Sequence, residues 1–151
     1  MSDASKVRSI LENNIYCVVS TVNDDGSPWG SPVFFGFDDD VIYWRSWAES
    51  QHSKNLRQRP EAMVCVFDSH QPWGEGEGLY LHGRVEQLED RAAVERALTV
   101  IDARSPESKQ VDEFLRPNPR RIYRFVAVQA WINEDSTKDG KFIDIRREIK
   151  L

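Results

Sequence analysis

The residues most able to do chemistry lie between Tyr43 and Pro60, in the run YWRSWAESQHSKNLRQRP. Arg45, Ser46, Ser50, Gln51, His52 and Lys54 are all hydrogen-bond donors, and the cations among them add charge. The pattern predicts an apolar strand ending near Trp44, a polar turn, and a helix over 50–58 stopped by Pro60. The strand would deliver Arg45 and Ser46 to the place where the helix begins. Free N–H groups and the helix dipole at such a start attract phosphate. The same residues also suit an ordinary strand–helix–strand connection in which Ser50 merely caps and the cations face water.

Other candidate chemistry is weaker. Gly74-Glu-Gly-Glu-Gly78 lacks the Gly-Lys-Ser/Thr ending of a phosphate loop and the spacing of a dinucleotide fingerprint. His52, His70 and His82 show no metal-ligand spacing with Cys17 or Cys65, so no metal site is expected. Asn23–Gly26 and Asp38–Asp40 read as turns, because a calcium loop would need a terminal bidentate Glu. No nucleophile–base arrangement stands out, and no catalytic residue is assigned. Trp47 falls in a polar turn and Trp73 in a glycine-rich loop, places where an aromatic ring can be left partly exposed.

The elements that must position these residues follow from periodicity. A short amphipathic helix is expected over 4–13, with Val7, Ile10 and Leu11 on one face. Strands are expected over 15–22, 28–37 and 41–44, joined by the Asn23–Gly26 and Asp38–Asp40 turns into an antiparallel meander. After the 50–58 helix come strands over 62–67 and 79–88, the second crossing Gly83, where a bend or bulge is expected. Helices follow over 90–103 and 107–115, then strands over 122–133 and 142–147. Seven or eight strands with few helices call for closure into a barrel, which removes sheet edges.

A chain of 151 residues is read as one domain, 1–151, large enough for a real core. Its net charge of −5 argues against non-specific nucleic-acid binding. No apolar run approaches the ~20 residues of a membrane span. The start MSDASKVRSILENN is too polar for a secretory leader, and two cysteines inside apolar runs suit a reducing cytoplasm.

The run strand–NDDG–strand–DDD–strand, then SxHSKNLRQRP and a strand ending in FDS, resembles the pyridoxamine 5′-phosphate oxidase-like family of FMN-binding split β-barrels. Gly83-Arg-Val-Glu86, Tyr123-Arg124, Trp131 and Asp144-Ile-Arg146 fit as well, and the likeness spans roughly Ile10 to Leu151. It implies a mainly β fold with short helices: an antiparallel split β-barrel of Greek-key type. It implies a homodimer with FMN at the subunit seam and a small-molecule substrate that remains unknown. By the resemblance, Arg45 and Ser46 contact the flavin or its ribityl chain. Ser50, Gln51 and His52 hold the phosphate, with Lys54 adding charge. Trp131 and Arg146 approach the flavin from the partner chain.

The chain departs from the family pattern in three places. The usual Arg-Lys pair at the helix start is Gln51-His52, and the basic residue expected on the second strand, around Ser31 to Phe35, is missing. Two lost charged hydrogen bonds at ~1.5–3 kcal/mol each weaken phosphate binding by roughly a hundredfold to over ten-thousandfold. Phe142-Ile-Asp-Ile-Arg146 stands where vitamin B6 oxidases carry Arg-x-His-Asp-Arg, so oxidation of pyridoxamine phosphate is not expected. The leading expectation is an FMN-dependent oxidoreductase. The alternative is a non-catalytic barrel that binds flavin, a deazaflavin or haem for storage or stress protection, or that holds no cofactor at all.

Overall fold

The computed structural model describes residues 2–151. Helix α1 (Asp3–Asn13) leads into β1 (Tyr16–Val22), β2 (Pro28–Asp38) and β3 (Val41–Trp47). Helix α2 (Gln51–Gln58) precedes β4 (Glu61–Phe67) and β5 (Gly78–Leu88). Helix α3 (Arg91–Asp102), a 3-10 turn at Val111–Phe114, β6 (Arg120–Lys138) and β7 (Lys141–Ile149) complete the chain. All strand pairs are antiparallel, in the order β3-β2-β1-β4-β5-β6-β7, and β3 also pairs with β6. That last pairing closes β1–β6 into a barrel. β4 returns beside β1 after the β1–β2–β3 meander, which is the Greek-key order. The expected fold class is therefore borne out.

Turn chemistry sets the meander. Gly26 takes φ +86°, and its N–H donates to the Asn23 carbonyl at 2.9 Å. Asp25 Oδ1 accepts from the Ser27 N–H at 2.9 Å and from the Ser27 hydroxyl at 2.6 Å, tightening the loop. The alternation of β1 then sends Cys17, Val19 and Thr21 inward. Register places Val33, Ser31 and Trp29 opposite them on β2. The interior is filled by Val19, Phe35, Trp44, Val64, Val66, Leu79 and Phe125, all fully buried. Each such side chain contributes about 1.5–3 kcal/mol.

Both barrel ends are closed by helices. Ile10 and Leu11 of α1 join the interior core where β1 begins. Arg104 holds that helix, its guanidinium donating to the carbonyls of Leu11 and Asn14. α2 covers the end where β1 finishes: Leu56 joins the core, and Asn55 Nδ2 donates to Thr21 Oγ1 at 3.0 Å. α3 packs outside on β2 and β3, with Val94, Ala97, Leu98 and Ile101 forming a second core with Leu88, Phe114 and Ile122. Gly36 makes that approach possible, because a Cβ there would sit 2.8 Å from Ile101 Cα.

Three expectations need correction. β3 continues to Trp47, so Arg45 and Ser46 lie within the strand and point to opposite faces. Pairing with β6 extends it, Arg45↔Ile122 and Ser46↔Arg121. The helix expected over 107–115 shrinks to the 3-10 turn Val111–Phe114, since Asp102 Oδ2 accepts the Lys109 N–H and holds the preceding loop open. β6 runs to Lys138, because its second half pairs with β7 beyond the barrel rim. The irregularity expected at Gly83 is present: the β5–β6 register shifts at His82/Gly83, and Val128 on β6 is the extra residue.

Candidate functional site

The start of α2 gathers most of the polar side chains singled out in the sequence. Ser50 is its N-cap residue, but the Ser50 side chain makes no capping bond to the helix backbone. The N–H groups of Gln51, His52 and Ser53 therefore lack intrahelical acceptors, as at any helix start. Ser50 Oγ instead lies 3.2 Å from Ser46 Oγ, 3.3 Å from His52 Nε2 and 2.8 Å from Ser53 Oγ. Gln51 is exposed, its amide donating to Asn55 Oδ1 at 2.9 Å and Asn23 Oδ1 at 3.2 Å. Lys54 is exposed and has no ion-pair partner among the described residues.

His52 is 7% exposed, held between helix and barrel. Its Nδ1 is 3.1 Å from Ser31 Oγ on β2. Burial holds the His52 pKa below its usual 6.5, favouring the neutral ring. The Trp29 indole N–H donates to the same Ser31 hydroxyl at 3.0 Å. On the far side the Tyr123 hydroxyl donates to Gln87 Oε1 at 3.3 Å. Tyr123 stacks on Trp44 with centroids 5.6 Å apart, and desolvation raises its pKa. Among the described residues the buried Trp44 Nε1 has no partner.

Other predicted site residues lie elsewhere. Arg45 turns from α2 to α3, its Nη1 donating to Asp102 Oδ1 at 3.2 Å and its Nη2 to Ser105 Oγ at 3.3 Å. Strand alternation dictates this: Ser46 shares the face of Trp44, and Arg45 cannot. Trp131 and Arg146 lie on the outer face of the sheet. Arg146 Cζ sits 4.6 Å over the Tyr80 ring, and its Nη1 pairs with Asp144 Oδ2 at 2.8 Å. Trp131 is the cross-strand partner of Tyr80. Within one chain neither contacts α2.

Trp131 and Tyr80 belong to a row that crosses the barrel wall. Pro32, Val18, Cys65, Tyr80 and Trp131 are successive cross-strand partners. Met63 and Phe67 flank the row, 36% and 47% exposed. Both cysteines are free thiols. Desolvation pushes Cys17 up to about 12 and raises Cys65 as well, so neither is poised as a nucleophile.

Sequence reasoning missed Trp29, Ser31, Ser53, Asn55 and Tyr123. A signal existed for Ser31 and for one further inward position, Thr21: they continue the inward phase of Val33 and Val19, and a polar residue there needs a partner. Among the described residues no group of three or more His, Cys, Asp or Glu is placed to hold a metal ion, and no helix is long and apolar enough to cross a membrane.

A closed antiparallel barrel with a helix start gathering hydroxyls at one end defines a split-barrel protein. The family model described as Pyridoxamine 5′-phosphate oxidase matches residues 4–133, and the chain belongs to that family. No curated protein sequence matches. Among solved structures, a conserved hypothetical protein from Mycobacterium tuberculosis aligns at TM-score 0.71 and 22% identity, covering 86% of this chain and 82% of that one. An FAD-binding protein from Mesorhizobium loti aligns at 0.66 and 19%, covering 87% and 94%. The haem storage protein HutZ from Vibrio cholerae aligns at 0.71 and 14%, covering 85% and 92%. At these identities the likeness shows the fold alone.

Proposed function

We propose that this protein is a cytoplasmic homodimeric flavoprotein that holds FMN and acts as an oxidoreductase on a small molecule. One observation carries the reading. The α2 start leaves its backbone N–H groups uncapped while Ser46, Ser50, Ser53 and His52 converge on it. That donor set fits a phosphate, with Gln51 and Lys54 at its rim. The chemistry of the donors is consistent with the group, although neutral donors replace the cations the family usually places there.

The flavin, when bound, supplies the electron transfer. The chain supplies anchoring and shape. The apolar row Val18–Cys65–Tyr80–Trp131 supports a second copy seated on the barrel wall, because such a surface is costly to leave in water. Docking there would bring Trp131 and Arg146 of one copy towards the α2 start of the other. Free cysteines suit a reducing compartment.

The test begins with the absorbance spectrum and mass spectrum of the protein as purified, which separate FMN, FAD, a deazaflavin and haem. Titration of the cofactor-free protein with FMN and with riboflavin follows. FMN should raise the melting temperature and riboflavin should not, since only FMN carries the phosphate. A colourless protein whose melting temperature ignores FMN would overturn the proposal.

A second reading, a non-catalytic haem or flavin binder, is favoured by His82. This half-exposed imidazole stands on the outer face beside Met63, its cross-strand partner, and 3.2 Å from Gln129 Oε1. A haem absorbance band that disappears in His82→Ala would establish that reading. Reduction of bound flavin by NAD(P)H and reoxidation by oxygen, coupled to turnover, would exclude it.

A further inference from the structure

Trp29 and Ser31 are not needed to fill the barrel, yet their polar atoms are placed with direction. An indole N–H can only donate, so Ser31 Oγ is its acceptor at 3.0 Å. The Ser31 hydroxyl hydrogen is then free, and His52 Nδ1 lies 3.1 Å away. Ser50 Oγ, which lies 3.5 Å from His52 Nδ1 and nearer to Nε2, gives its hydrogen to Ser53 Oγ at 2.8 Å. Its lone pairs remain free to accept from His52 Nε2 at 3.3 Å. Taking the shorter contact of each ring nitrogen gives one arrangement in which every donor of this chain finds an acceptor. Trp29 donates to Ser31, Ser31 to His52 Nδ1, His52 Nε2–H to Ser50, and Ser50 to Ser53.

We propose that Trp29 and Ser31 are positioning residues that fix His52 as the neutral Nε2–H tautomer, so that the ring orients the Ser50 hydroxyl at the α2 start and brings no charge to an anion there. The claim rests on the reading of that helix start as the phosphate end. Its structural half, the tautomer, stands without any ligand. Ser31 lies in the stretch of the second strand where the resemblance leads one to expect a basic residue.

The surroundings agree with a neutral ring. No carboxylate contacts His52. The charged groups on the elements around it are Lys54 and Arg57 on α2, Glu49 in the preceding turn and Arg121 on β6. Glu49 is satisfied by Arg57 at 3.1 Å, and Arg121 donates to the Asn118 and Arg120 carbonyls. β1 and β2 bring no charge to the ring, only Thr21, Trp29 and Ser31. With nothing beside it to stabilise an imidazolium, the ring works through one N–H and its orientation.

The test uses the full chain with 15N-labelled histidine. Long-range 1H–15N correlation spectra at pH 7.5 report the tautomer of each ring, with His52 assigned by its loss in His52→Gln. The expected result is Nε2–H in the wild type and a mixture of both tautomers in Ser31→Ala. Trp29→Phe, which keeps the ring but removes the donor, should shift His52 in the same direction. Ser31→Thr, which keeps the hydroxyl, should restore it. An Nδ1–H or charged His52 in the wild type, or an unchanged tautomer in Ser31→Ala, overturns the proposal. FMN affinity supplies the second readout. It should be flat between pH 7 and 8.5 in the wild type, and lower by about two- to tenfold at pH 8 in Ser31→Ala, the weight of one neutral hydrogen bond. Wild-type affinity that falls with pH as a cation discharges refutes the neutral donor. If FMN does not bind at all, the functional reading fails while the spectra still decide the tautomer.

Discussion

Replacing Arg104 by Ala should detach α1 from the barrel. The last turn of α1 has no basic residue of its own, and its final carbonyls lack intrahelical donors. Arg104 supplies both from another part of the chain. Its Nη2 donates to the Leu11 carbonyl at 2.9 Å and to that of Asn14 at 2.5 Å. The contacts to the Glu12 and Phe35 carbonyls, both at 3.4 Å, are long and count for little. The guanidinium also lies 4.7 Å over the Phe35 ring and 4.9 Å over that of Phe37. Two charged hydrogen bonds at ~1.5–3 kcal/mol each give a gross loss of about 3–6 kcal/mol. The cation–π contacts add roughly 0.5–1 kcal/mol apiece. Arg104 is only partly buried, so water takes over some of the freed carbonyls. A net loss of about 2–3 kcal/mol is expected, which for a chain of this size lowers Tm by roughly 4–12 °C. Urea unfolding should show a lower midpoint with an unchanged slope, and hydrogen exchange should show the α1 amides opening first. Arg104→Lys, a point charge that cannot fork to two carbonyls, should recover less than half of the loss. A change below about 0.5 kcal/mol, within the range of ordinary surface substitutions, would refute this account. So would a destabilised protein whose α1 amides stay protected.

Three further outcomes follow from the geometry. Gly36→Ala should cost about 1–3 kcal/mol in chemical denaturation, because the new methyl meets the Ile101 and Val100 backbone on α3. Gln51→Arg should tighten FMN by roughly fivefold to fifteenfold, the gain of a charged over a neutral hydrogen bond, while leaving riboflavin unaffected in the same fluorescence titration. Acid should destabilise the protein through His52. Its folded pKa lies below the usual 6.5, so between those two values the unfolded chain holds a proton that the folded chain refuses. Stability therefore rises with pH across that window and falls as pH drops below 6.5, and His52→Gln should flatten this part of the stability profile.

Much of the fold was legible because the chain states it in local terms. Asn23–Gly26 and Asp38–Asp40 are turns in both readings, and Asp90 caps α3 through the Ala93 N–H at 2.9 Å. Strand ends were less legible, since β3 and β6 are lengthened by partners distant in sequence. The same cause misplaced Arg45. Treating it as a turn residue freed it to point towards α2, whereas the β3–β6 pairing fixes it in a pleat facing Asp102. Ser46, Ser50 and His52 do gather as expected. The hydroxyls of Ser31 and Ser53 that organise them could be found only from the inward phase of one strand and the buried face of one helix. Trp131 and Arg146 share the outer face of the sheet with Tyr80.

Because α1 and α2 stopper the two mouths of the barrel and valines, phenylalanines and a tryptophan crowd its bore, no guest can enter the cylinder. Whatever this protein carries must lie against its flank. The apolar side chains that fill the bore are thus closed to any ligand. A substitution at the buried His52 or Ser31 would by contrast be felt by the barrel as well as at the start of α2.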